Sequence, residues 1–153
     1  MASPTERLAE LGLALPPVAA PVASYVPAVR SGDHVYVSGQ LPFVSGALAV
    51  TGKVGAGVTA GDAAGLARTC ALNALAAVDD LVGLDSVAQV VKVTGFVASA
   101  PDFTGQPTVL NGASELFGAV FGEAGRHARS AVGVAVLPLD APVEVEVVVR
   151  VVS

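Results

Sequence analysis

A chain of 153 residues, 53% hydrophobic and only 14% charged, is long enough for one domain with a substantial core. Its net charge of −5, with eight lysines and arginines in all, leaves no basic surface for a phosphate backbone and argues against nucleic acid as a partner. The single cysteine, Cys70, excludes an internal disulfide framework and fits a reducing compartment, while the shortage of charge points to apolar area buried between subunits.

The N-terminus "MASPTERLAELG" lacks a basic region followed by an apolar core, so it is not read as a signal peptide. No run reaches the ~18 apolar residues of a membrane span, and a cytoplasmic protein is expected. Ser3, Pro4 and Glu6 spell a capping box that predicts a short helix to about Leu13. Pro16, Pro17 and Pro21 then impose an extended lead-in. "SGD" at 31–33 marks a hairpin turn between strands Tyr25–Arg30 and His34–Ser38, and a further short strand and turn fall around Gly52. The longest helical pattern starts after Thr59, with Asp62 three residues on, and ends at Gly83. Its apolar stripe is Leu66, Cys70, Ala74, Val78 and Leu81. "VAQVVKVTGFVAS" reads as a long strand, "PTVLNGASELFGAVFG" as a second main helix opened by Pro107, and the rest as a terminal β-hairpin. The order predicts an α+β fold, a mixed sheet with two main helices on one face.

Several familiar chemistries are excluded. "GALAVTGK" has one residue too many between its glycines for a phosphate loop, and Val54 stands where a magnesium-binding Ser or Thr belongs. "GAGVTAG" misses the dinucleotide spacing. His34 and His127 are far apart, and one cysteine cannot complete a zinc site, so no metal and no cofactor are expected. Cys70 belongs to the helix stripe and reads as core. Arg129, Glu144, Glu146, Tyr25, Ser38 and Asn111 remain as candidates for chemistry.

The terminal hairpin raises a geometric question. If its large residues, Val132, Val134 and Val136, face the helices, then Arg129, Ala131, Gly133, Ala135, Glu144 and Glu146 share the other face. A "PLDA" turn would pair Ala135 with Glu144. Arg129 would then lie six residues down-strand from Glu144, about 20 Å away. The two could not meet within one chain, so a site using both would lie between subunits. A solvent-facing sheet surface accounts for the same pattern without any site.

The blocks "YVPAV…VYVSGQLP", "TGKV", "LNGASELF" and "ARSAVGVAVLPLDAPVEVEV" resemble the RidA/YjgF family of reactive-intermediate deaminases over residues 22–152. The resemblance implies a chorismate-mutase-like fold, with 22–153 as the family domain and 1–21 as an added helix and lead-in. It also implies a homotrimer with clefts between subunits and hydrolysis of 2-imino acids to 2-oxo acids and ammonia. It places the carboxylate-binding arginine at Arg129 and the water-orienting glutamate at Glu144. The other site positions fall at Tyr25, Ser38, Gly39, Gln40 and Asn111. Backbone donors near Gly39 and Ala131 would fix substrate oxygens. The family's usual cysteine is Ala131 here, and a commonly acidic position is Gly133. Three functions are then open: an imine deaminase, a non-catalytic trimer binding small carboxylates as a sensor or enzyme partner, and, less favoured by the acidic charge, a ribonuclease.

Overall fold

The computed structural model describes residues 1–18 and 23–152. Helix α1 (Pro4–Glu10) is capped as its sequence requires: the Ser3 hydroxyl accepts from the Glu6 N–H, and the Glu6 carboxylate accepts from the Ser3 N–H at 2.8 Å. It stops short of Leu13 because Gly12 takes a positive φ and turns the chain. Leu8 is buried in the main core, and the Asp85 carboxylate accepts from both the N–H and the hydroxyl of Thr5. Pro16 and Pro17 lie outside any helix or strand, while Pro21 lies outside the described residues.

Strands β1 (Ala28–Ser31) and β2 (His34–Gln40) form the expected hairpin, with Ser31 opposite His34. The first strand starts at Ala28, because Pro27 has no N–H for the ladder, and Tyr25 is left ahead of the sheet. Two small two-stranded pairs follow, β3 (Phe43–Val44) with β4 (Ala47–Leu48) and β5 (Lys53–Val54) with β6 (Gly57–Val58). Helix α2 (Ala60–Val82) has Thr59 as N-cap and Gly83, at φ 81°, as its stop. Its buried face is mainly alanine, with Ala63, Ala67, Cys70, Ala74 and Val78 turned inward. Cys70, Ala74 and Val78 of the expected stripe are fully buried and Leu66 packs partly against the core, while Leu81, in the last turn, is exposed; the small side chains let the helix settle closely on the sheet.

Strand β7 (Val87–Ala98), helix α3 (Gln106–Phe121), strand β8 (Ala128–Val134) and strand β9 (Val143–Val151) complete the fold. The main sheet runs β1-β2-β9-β7-β8, with β8 parallel to β7 and the other neighbours antiparallel. Both long helices pack on one face, giving the anticipated α+β architecture. Val143, Val145, Val147, Val149 and Val151 point into that core. No helix among the described residues is long and apolar enough to cross a membrane.

The terminal hairpin does not form. β7 lies between β8 and β9 and pairs with both. Phe96 has Val132 opposite it on one side and Glu144 on the other, so the expected pairing of Ala135 with Glu144 is replaced. Short-loop logic fails because the loop, with its 3₁₀ turn Pro138–Asp140, carries the chain across the end of β7.

The faces of β8 are also reversed from expectation. Arg129, Ala131 and Gly133 pair with Val93, Gly95 and Val97 and face α3, while Val132 pairs with Phe96 on the open face and is 44% exposed. Close approach of α3 is the cause. A Cβ on Gly95 would lie 2.0 Å from the Leu110 side chain, so at this point beneath the helix there is no room for a side chain. Ala131 and Gly133, expected on the face away from the helices, lie on the α3 side instead.

Candidate active site

Arg129 leaves β8 toward α3, where its Nη1 donates to Asn111 Oδ1 at 2.8 Å and to Ser114 Oγ at 3.2 Å. Asn111 and Ser114 are three residues apart on α3 and therefore share a helix face. Among the described residues no carboxylate lies within ion-pair distance of Arg129: the ion pairs are Lys53 with Asp140 and Arg126 with Glu123. The guanidinium is thus held by neutral acceptors through one nitrogen, which leaves the rest of its planar fork for an anion.

Two further residues that the sequence reading does not single out, Ser114 and His127, support this group. Ser114 Oγ lies 2.9 Å from His127 Nε2, and His127 Nδ1 lies 2.6 Å from the Gly125 carbonyl oxygen. His127 also stands edge-on to Phe117, with ring centroids 5.9 Å apart. The signals were available: Ser114 is one helical turn from Asn111, and His127 is two residues before Arg129. From the sequence alone, His127 is considered only as a zinc ligand.

Glu144 belongs to a different neighbourhood. It is half-buried on the open face of the sheet, beside the irregularity in β2 between Val37 and Gln40. A Cβ on Gly39 would come within 2.8–3.1 Å of the Glu144 carboxyl end, so glycine there makes room for the carboxylate. Burial pushes the Glu144 carboxyl above its ordinary range, and the negative charge of Glu146 pushes it further.

Ser38 is committed to local structure: its hydroxyl donates to the Val26 carbonyl at 2.8 Å and its N–H to the Pro27 carbonyl at 2.8 Å. It therefore ties the segment carrying Tyr25 to β2. Tyr25 itself is 48% exposed. Gln40 Nε2 donates back to the Ser38 carbonyl, while Ala131 is partly buried against the core. Cys70 is fully buried, and burial raises its thiol pKa well above the ordinary value.

Two groups result. Arg129 joins Asn111, Ser114 and His127 on the helix side; Glu144 joins Gly39 near Ser38 on the open side. The fold does not bring the two groups together. A separate concavity of about 140 Å³ on the open face, lined by Tyr36, Lys92, Thr94, Glu146 and Val148, takes in neither Arg129 nor Glu144.

Comparison with known proteins gives a consistent picture. Residues 5–150 match the family model described as "YjgF/chorismate mutase-like, putative endoribonuclease". Protein TCP17 of Trypanosoma cruzi is 48% identical over 146 residues, covering 94% of this chain and 91% of its own. The structure of a protein from Shewanella oneidensis described as a "putative endoribonuclease" superposes with a TM-score of 0.95 at 33% identity, covering 98% of this chain and 100% of that one. E. coli TdcF, solved with bound serine, gives a TM-score of 0.64 at 28% identity, with 91% and 94% of the two chains covered.

Proposed function

The chain belongs to the YjgF family, and on that premise we propose that it hydrolyses 2-imino acids to 2-oxo acids and ammonia in clefts completed by neighbouring copies of itself. The observation that carries this reading is Arg129: a guanidinium positioned by Asn111 and Ser114, with no carboxylate of the described chain on it. Such a fork fits a substrate carboxylate. The serine bound to TdcF is a small amino acid that carries a carboxylate.

The chemistry needs little beyond orientation. The imine carbon is already electrophilic. Glu144 takes a proton from water as the water oxygen bonds to that carbon and returns it to the imine nitrogen, giving a neutral carbinolamine. It then takes the carbinolamine hydroxyl proton and delivers it to the amine nitrogen as the carbon–oxygen double bond forms and the carbon–nitrogen bond breaks, leaving the 2-oxo acid and ammonia. A carboxyl with its pKa raised by burial and by Glu146 is suited to both halves of that exchange. Because Glu144 and Arg129 occupy opposite faces of one sheet, the proposed cleft takes them from two chains, in a cytoplasmic homotrimer.

The same separation supports a second reading, a carboxylate-binding trimer without turnover. The experiment that decides is a coupled assay in which an amino-acid oxidase generates imines and a trap reports their lifetime. Shortened lifetimes with the protein present support the deaminase. Unchanged lifetimes across small, branched and aromatic side chains, with 2-oxo acid binding retained, leave the binding module. A ribonuclease is disfavoured by the eight lysines and arginines set against thirteen acidic residues.

A further inference from the structure

We infer that Ser114 and His127 are positioning residues for Arg129, forming a hydrogen-bonded chain that fixes the guanidinium for carboxylate capture. The inference rests on the carboxylate-binding role of Arg129 and adds two residues to it.

The direction of each hydrogen bond follows from chemistry. The Gly125 carbonyl can only accept, so His127 Nδ1, 2.6 Å away, carries a proton. In the neutral ring Nε2 is then bare and can only accept, and its partner at 2.9 Å is Ser114 Oγ. The Ser114 hydroxyl proton is therefore drawn to His127. That turns the serine oxygen's lone pairs to Arg129 Nη1, 3.2 Å away. Arg129 cannot do other than donate. The chain runs Arg129 to Ser114 to His127 to the Gly125 backbone, each member satisfied by the next. Its far end is anchored in the fold, because Gly125 is buried and the His127 ring stands edge-on to Phe117, itself fully buried. Asn111 supplies the other acceptor on Nη1. With Nη1 held at two points, the guanidinium plane is set before substrate arrives, which lowers the ordering cost of binding.

The test is calorimetric titration of pyruvate into the full-length protein and four variants, each checked by thermal melting to be folded at the titration temperature. Ser114→Ala removes the middle of the chain. His127→Phe keeps a ring against Phe117 but removes the acceptor. His127→Gln restores an acceptor near the Nε2 position. The last variant combines Ser114→Ala with His127→Phe. Ser114→Ala and His127→Phe should each weaken pyruvate roughly tenfold, as misplacement of a binding group does. His127→Gln should stay within about twofold of wild type, and the double variant should lose no more than Ser114→Ala alone, because both act through one chain. A merely structural role would lower the melting temperature without separating Gln from Phe. Wild-type affinity in Ser114→Ala and His127→Phe, equal losses in His127→Gln and His127→Phe, or multiplied losses in the double variant would each overturn the inference alone. Failure of the wild type to bind pyruvate would overturn the carboxylate reading and the inference with it.

Discussion

Arg129 and Glu144 stand on opposite faces of one sheet, with β7 between their strands. They are offset by three residues along the strands and two strand spacings across, about 10 Å in each direction. The separation is shorter than the sequence suggests, yet it is harder to bridge, because a packed sheet lies in the way. A site built from both requires a second chain.

Assembly is the first consequence. The protein should run as a homotrimer in light scattering at micromolar concentration. A stable monomer there would remove the shared cleft.

Binding should depend on the shape of the guanidinium and not only on its charge. Arg129→Lys keeps the charge but loses the fork that Asn111 and Ser114 orient, so 2-oxo acid affinity should fall at least tenfold by calorimetry. Equal affinities would mark the arginine as structural.

Catalysis should separate from binding at Glu144. Glu144→Gln should still bind 2-oxo acids yet lose imine hydrolysis by roughly 10²–10⁴-fold. Glu146→Gln should stay active. Removing the Glu146 charge lets the Glu144 pKa fall toward its ordinary value, so the limb of the pH–rate profile governed by that group should move to lower pH.

Stability should move the other way in the first of these variants. The folded-state pKa of Glu144 is raised, so its contribution to stability is present below the ordinary glutamate pKa and is lost as pH rises through the folded value. Glu144→Gln should therefore resist urea better than wild type at pH 8. The difference should close when both are titrated below the ordinary glutamate range.

Gly95→Ala tests the reversed face of β8. The added methyl would drive into Leu110, and overpacking at so tight a contact should cost about 1–3 kcal/mol in urea unfolding. Gly39→Ala meets only the movable end of Glu144, so the fold should persist while imine hydrolysis drops.

Local signals were read well from sequence because their physics is local. The capping box at Ser3 and Glu6, the Thr59 cap, the Gly83 stop and the turn at Gly32 each depend on residues within a few positions. The insertion of β7 between β8 and β9 depends on pairing across some fifty residues, and no turn residue near Pro138 announces it. The facing of β8 went wrong for a related reason. Valine is expected to seek the helices, whereas α3 sits so close over Gly95 that β8 turns Ala131 and Gly133 to that side and leaves Val132 outside. Arg129 and Asn111 were identifiable as candidates, and their contact follows from α3 lying over β8. Ser114 and His127 were missed because each was read singly, although their spacing from Asn111 and Arg129 placed them on the same faces.

The position of β9 bears on how the chain acquires its shape. It follows every other strand in sequence yet occupies the middle of the sheet, between β2 and β7. Until Val143–Val151 insert, the hairpin of β1 and β2 has no bonded route to the parallel pair of β7 and β8, and the valines that seal the core are still outside it. Pairings of such sequence separation form slowly. Until this strand pairs, the β1–β2 hairpin and the β7–β8 pair would each present an open edge, and unpaired edges of that kind are where association between chains begins.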